Sequence, residues 1–123
     1  MNNNNIKLKL ALDWMPNINH IGFYVAKEKG FFKELNIDVE IISPETDNYK
    51  YSPAKKIELY LADIALCPTE SIISFRTKKK PFKLYALATI FQRDISAIAV
   101  VKSNNIKSPK DLDGRSYASY GAR

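Results

Sequence analysis

The sequence predicts an α/β fold, and three observations carry that prediction. Residues 6–12 and 37–43 each alternate apolar and polar side chains with period two, the signature of strands with one covered face. Residues 21–29 between them read as a helix closed by Lys27, Lys29 and Gly30, cations and then a residue free to adopt the left-handed cap. A strand, a helix and a second strand in that order imply a crossover connection and therefore parallel strands.

The elements follow in chain order. Asn2 to Asn5 form a polar tail, expected to be disordered. The first strand runs into the connection 13–20, where Pro16 makes a turn and Asn19 is the expected N-cap of the helix. Gly22 costs about 1 kcal/mol relative to Ala in a helix, which points to close approach of the helix to the sheet or to a ligand. Phe31 and Phe32 are expected to fold back onto the helix, and Asn36 marks a turn into the second strand. After a polar loop, residues 53–61 read as a short helix with Pro53 in its first turn. Residues 62–66 read as a short buried strand, and 70–79 as a helix capped by Thr69 with Ile72, Ile73 and Phe75 inward. The largely apolar run 84–91 is expected to be a strand buried on both faces. Residues 96–102 and 115–119 read as further strands, separated by a single helical turn at 109–112.

Length and composition narrow the function classes. A chain of 123 residues, 46% apolar and 26% charged, has the makings of one domain with a modest core. The formal net charge is +6, with lysines concentrated at Lys78, Lys79, Lys80 and Lys83 and again at Lys102, Lys107 and Lys110. No nucleic-acid-binding motif accompanies them, so they read as a solvated helix end and loop. The single cysteine, Cys67, excludes an internal disulfide and a multi-cysteine metal site within these residues. There is no run of about 18 apolar residues of the kind a transmembrane helix needs. The N-terminus lacks the apolar stretch and cleavage site of a signal peptide. As written, the chain reads as cytoplasmic; an upstream segment would make it periplasmic or membrane-anchored.

Four loops fall at expected strand ends: 13–20, 67–70, 92–94 and 120–121. In an open α/β sheet such ends converge on one edge, where ligands bind. Together they offer carboxylates, amides, hydroxyls, an indole and a phenol. That set suits a flat heteroaromatic ligand with ring nitrogens and an exocyclic amine. Trp14 or Tyr120 would stack on its face, and Asp13, Glu70, Asn17 or Gln92 would meet its edge. Each residue has a plainer reading: Trp14 as partly buried packing, Asp13 as a turn or cap residue, Cys67 as a small buried side chain. His20 stands open between a ligand contact, a hydrogen bond at the helix start, and catalysis. One histidine makes no zinc site, and no nucleophile partners it.

The run Leu12-Asp13-Trp14-x-Pro16-Asn17-x-x-His20-x-Gly22-x-Tyr24-Val25-Ala26-x-x-Lys29-Gly30-x-Phe32 resembles the opening of the NMT1/THI5-like (SsuA/THI5-like) family. Further agreement comes from Gly30 to Glu34 with Ile37-Asp38-Val39, from Ala62-Asp63, and from the widely shared block Ser108 to Gly114. The resemblance implies a type II periplasmic-binding-protein fold, two α/β lobes closing on a ligand. Residues 6–114 would be the first lobe, and 115–123 the start of the crossover into a second. It implies one of two activities. The first is a solute-binding protein for a thiamin pyrimidine precursor of the formyl-aminopyrimidine type, with an ABC-importer permease as partner and no cofactor. The second is a pyrimidine synthase that uses pyridoxal phosphate and iron. The synthase pattern places a lysine at Cys67 and a donated histidine at Ser71, and its cysteine-rich iron motif beyond Arg123. Cysteine and serine do neither job, which favours the binding protein. A sulfonate- or nitrate-type receptor is the third reading. The candidate ligand contacts are then Asp13, Trp14, Asn17, His20, Tyr24, Thr69, Glu70, Gln92 and Tyr120, with no catalytic residue and no metal ligand.

Overall fold

The computed structural model describes residues 5–93 and 97–118, which fall into two units, Met1–Ala88 and Thr89–Arg123. The first unit is built on a three-stranded parallel sheet in the order β2-β1-β3. Strand β1 (Ile6–Ala11) is central, flanked by β2 (Ile37–Ile42) and by the two-residue β3 (Ile64–Ala65). β1 pairs with β2 from Ile6↔Ile37 to Ala11↔Ile42, and with β3 at Leu10↔Ile64 and Ala11↔Ala65. The Asp63 carboxylate accepts from the Lys9 backbone N–H at 2.8 Å, and the Asp63 N–H donates to the Lys9 carbonyl at 2.9 Å. That double contact seats the chain before β3.

Alternation fades toward the carboxyl end of β1, where Leu10 and Ala11, and Leu12 just after it, are all buried. Leu10, Leu12 and Val39 form the centre of the core, with Phe23, Tyr24, Phe32, Ile37, Ile41, Ile64 and Leu66 packed around it. Burial of each large apolar side chain contributes about 1.5–3 kcal/mol. The crossover consists of α1 (Ile21–Glu28) and the single turn α2 (Phe31–Glu34). Gly30 joins them at φ +83°, a left-handed conformation that costs glycine little. The Lys27 ammonium donates to the Val39 carbonyl at 2.8 Å and ties α1 to β2. Helix α3 (Pro53–Glu58), capped by Ser52, and α4 (Glu70–Thr77) complete the unit. No helix among the described residues is long and apolar enough to cross a membrane.

Several expectations are corrected. The helical cap in the first connection is Asn17, not Asn19: the Asn17 carboxamide accepts from the Asn19 N–H at 2.9 Å. Thr69 has helical backbone angles and makes no capping hydrogen bond. Gly22 does not bring the helix close to the sheet, since a Cβ there would meet nothing within 4 Å. Ile73 and Phe31 point outward, while Ile72, Phe75 and Phe32 are half-buried. Residues 84–91 form no strand, and only Leu84 is buried. At the start of the run the Leu84 carbonyl is bonded to α4. The Arg76 guanidinium donates to the Leu84 carbonyl from Nε and Nη2 at 3.1 and 2.9 Å, and the Phe82 N–H donates to the Phe75 carbonyl.

The second unit has short helical turns at Lys102–Asn104 and Pro109–Leu112. The expected turn at 109–112 is present, with Ser108 and Asp111 forming a reciprocal cap. The expected strands at 96–102 and 115–119 are absent over the described residues 97–101 and 115–118. Extended backbone becomes a strand only where a neighbour supplies the ladder, and those residues have none. Residues 94–96 and 119–123, with parts of both expected strands, lie outside the described residues.

Candidate functional site

The chain steps from β1 outward to β2 and then back across to β3. Such a reversal marks the carboxyl ends of β1 and β3 as the position where open α/β sheets usually bind ligands. Three connections rise at this edge: 13–20 after β1, 43–52 after β2, and 66–69 after β3. Sheet register alone forces this, since all three strands run parallel.

The first connection is held by a small network centred on His20. The His20 ring is 1% exposed, and its Nδ1 accepts the Asn17 backbone N–H at 3.2 Å. With Nδ1 accepting, Nε2 carries the proton and donates to Asp13 Oδ1 at 2.8 Å. The Asp13 side chain is 47% exposed, so one carboxylate oxygen is fixed while the group still meets solvent. Asn17 completes the loop by donating from Nδ2 to the Met15 carbonyl at 2.9 Å. The histidine that the sequence leaves open between ligand, helix start and catalysis is therefore turned inward, with both ring nitrogens engaged.

Trp14, next in the chain, is 36% exposed. Its ring meets that of Tyr49 with centroids 5.6 Å apart and planes tilted by 55°, an ordinary attractive aromatic geometry. Tyr49 comes from the connection after β2, which the sequence reading passes over as a polar loop. The missed signal was topological: once β2 is parallel to β1, the loop after β2 must emerge beside the loop after β1. That loop is a 3-10 turn, Pro44–Asp47, followed by Asn48 and Tyr49 at φ +53° and +59°. A left-handed backbone is uncommon for a bulky residue and costs about 1–3 kcal/mol. It is held by the Tyr49 N–H donating to the Pro44 carbonyl at 2.9 Å. Beneath the turn, Lys56 is buried, its ammonium 3.2 Å from Asp47 Oδ2.

The third connection brings Cys67, Thr69 and Glu70. Burial pushes the Cys67 thiol above its ordinary pKa, and the Asp13 and Glu70 carboxylates raise it further, while a hydrogen bond from Ser71 pulls it down. Thr69 and Glu70 are exposed at this end. Tyr24 is half-buried against the core and also lines a shallow hollow of about 370 Å³ with Pro16, Asn17, Ile18 and Ile21. The structure therefore gathers Asp13, Trp14, Asn17, His20, Thr69 and Glu70 at one sheet edge, with Tyr24 on its flank. Gln92 lies in the second unit, exposed, and Tyr120 lies outside the described residues. Among the described residues no group of three or more His, Cys, Asp or Glu side chains is placed to hold a metal ion.

A model of the NMT1/THI5-like family matches residues 17–123. A Haemophilus influenzae protein named for thiamine biosynthesis is 29% identical over 111 residues, covering 89% of this chain and 33% of that protein. A formylaminopyrimidine-binding protein of Halalkalibacterium halodurans is 30% identical over 109 residues, covering 87% of this chain and 31% of that protein. A 4-amino-5-hydroxymethyl-2-methylpyrimidine phosphate synthase of Saccharomyces cerevisiae is 24% identical over 102 residues, covering 81% of this chain and 28% of that protein. The chain spans about a third of the length of these curated relatives.

Proposed function

The chain belongs to the NMT1/THI5-like family, and from that membership we propose that it supplies one wall of a cleft that binds a thiamin pyrimidine precursor of the formylaminopyrimidine type. The observation that carries this reading is the Asp13 carboxylate, held at one oxygen by a buried histidine and standing beside Trp14 at the carboxyl edge of the sheet. A fixed carboxylate recognises the exocyclic amine and ring nitrogens of an aminopyrimidine edge, and an indole takes its face. In this reading the chain is the first lobe of a two-lobe, type II periplasmic-binding-protein clamp. The second lobe closes over the ligand, and an importer permease is the receptor's partner. The length of the relatives supports a larger protein around the same lobe.

The similarity to the yeast synthase supports a second reading, an enzyme that makes the pyrimidine. The residues at the β3 end do not fit a covalently held pyridoxal phosphate. Cys67 stands where the resemblance places the lysine, and a thiol forms no Schiff base. Ser71 stands where it places the histidine, and a hydroxyl is no imidazole. A thermal-shift panel on the intact protein separates the classes. Formylaminopyrimidine is expected to raise the melting temperature, with pyridoxal phosphate, nitrate and alkyl sulfonates inert. A shift with sulfonate or nitrate alone would assign an anion receptor, and a borohydride-trapped pyridoxal adduct would assign the synthase.

A further inference from the structure

We propose that Tyr49 is a second aromatic wall of the cleft and that the ion pair beneath it, buried Lys56 with half-buried Asp47, sets its position. The proposal rests on the pyrimidine-binding reading above and extends it to the connection after β2. Four observations converge on it. Tyr49 and Trp14 come from different connections, after β2 and after β1, yet their rings lie 5.6 Å apart. They are 38% and 36% exposed, so both members of the pair reach the surface at this edge. Tyr49 sits in a left-handed conformation at φ +59°, directly after Asn48 at +53°. Such strain persists only where the surroundings enforce it.

The enforcing element is visible. Lys56, on α3, is 3% exposed and reaches Asp47 at 3.2 Å, two residues before Tyr49. An ion pair with one partner buried is weak evidence for stability but a good device for fixing one arrangement of a loop. Ser43 begins the same turn, its hydroxyl taking the Glu45 N–H at 3.4 Å and its carbonyl the Thr46 hydroxyl at 2.7 Å. The loop is thus pinned before and below Tyr49, and its tip is delivered to the indole. An aromatic pair tilted by 55° presents an L-shaped apolar surface. A flat ring seated against one member meets the other along its edge, which selects planar heteroaromatic ligands by shape.

Calorimetric titration of the intact protein with formylaminopyrimidine tests this. Tyr49→Leu is expected to weaken binding about 2- to 10-fold, while Tyr49→Phe stays within about twofold, because the ring and not the hydroxyl does the work. The double variant Lys56→Met/Asp47→Leu removes both charges together and so avoids stranding one of them. It is expected to weaken binding by a similar factor in the wild-type background and to add nothing to Tyr49→Leu. Positioning through Tyr49 predicts that non-additivity, whereas a general structural defect adds in both backgrounds. Unchanged affinity in Tyr49→Leu, with Trp14→Leu weakened, would overturn the proposal and leave the pyrimidine reading intact. No binding by the wild type would overturn the pyrimidine reading itself, and this proposal with it. Full additivity would overturn the positioning role of the ion pair.

Discussion

His20 Nε2 donates to Asp13 Oδ1 across 2.8 Å from a ring that is 1% exposed, while Nδ1 of the same ring accepts from Asn17. A buried donor with a charged acceptor is the strong kind of hydrogen bond, contributing about 1.5–3 kcal/mol. His20→Ala is therefore expected to lower unfolding stability by about 2–3 kcal/mol and to weaken ligand binding through Asp13. Urea denaturation monitored by circular dichroism checks the first effect. A loss within a few tenths of a kcal/mol would show that the network carries no weight.

The cap in the same loop gives a smaller and separable effect. Asn17→Ala removes the acceptor for the Asn19 N–H and is expected to cost about 1 kcal/mol. Asn19→Ala, at the position the sequence alone suggests for the cap, is expected to be nearly neutral. Paired urea melts of the two variants decide between the positions.

Much of the first unit was legible from pattern, because period-two alternation in residues 6–12 and 37–43 reports a sheet with one covered face. The helix between them was legible from Gly30 and its preceding lysines. What pattern could not supply was partnership. Residues 84–91 have the composition of a buried strand, but the Leu84 carbonyl at their start is bound by Arg76 of α4. The site divides in the same way. Asp13, Trp14, Asn17 and His20 were legible because unusual side chains crowd one strand–helix connection. The inward turn of His20 depends on which of its nitrogens finds a partner, and residue order does not encode that. Tyr49 was illegible because its relevance comes from the register of β2 against β1.

Cys67 reports on the junction of the loops after β1 and β3. Its thiol is raised first by burial, then by Asp13 and Glu70, and lowered by Ser71. Alkylation by iodoacetamide is expected to be slow at neutral pH and to accelerate only above the ordinary thiol range. Asp13→Asn removes a negative charge and should speed alkylation at pH 8. Ser71→Ala removes a hydrogen bond to the thiolate and should slow it. Rates indifferent to both variants would place the three groups apart.

Acid sensitivity is predicted at Glu58. Its carboxyl pKa is lowered by hydrogen bonds from Lys55 and Lys78. A carboxylate whose folded pKa is depressed stabilises the fold above its unfolded pKa, and that contribution fades as the pH falls through the folded value. Stability of the wild type is therefore expected to decline below the ordinary glutamate range, and Glu58→Gln should flatten that part of the profile. Melting temperatures measured from pH 7 down to pH 3 in both proteins show it.

The cleft reading itself turns on Asp13 and Trp14 acting together on one ligand. The most direct measurement is a calorimetric titration of formylaminopyrimidine into the intact protein, its Asp13→Asn variant and its Trp14→Ala variant. Saturable binding by the wild type is expected. Asp13→Asn should cost about 1.5–3 kcal/mol through loss of a charged hydrogen bond. Trp14→Ala should cost at least the 0.5–1.5 kcal/mol of an aromatic stack. Wild-type binding that neither variant weakens would contradict the account.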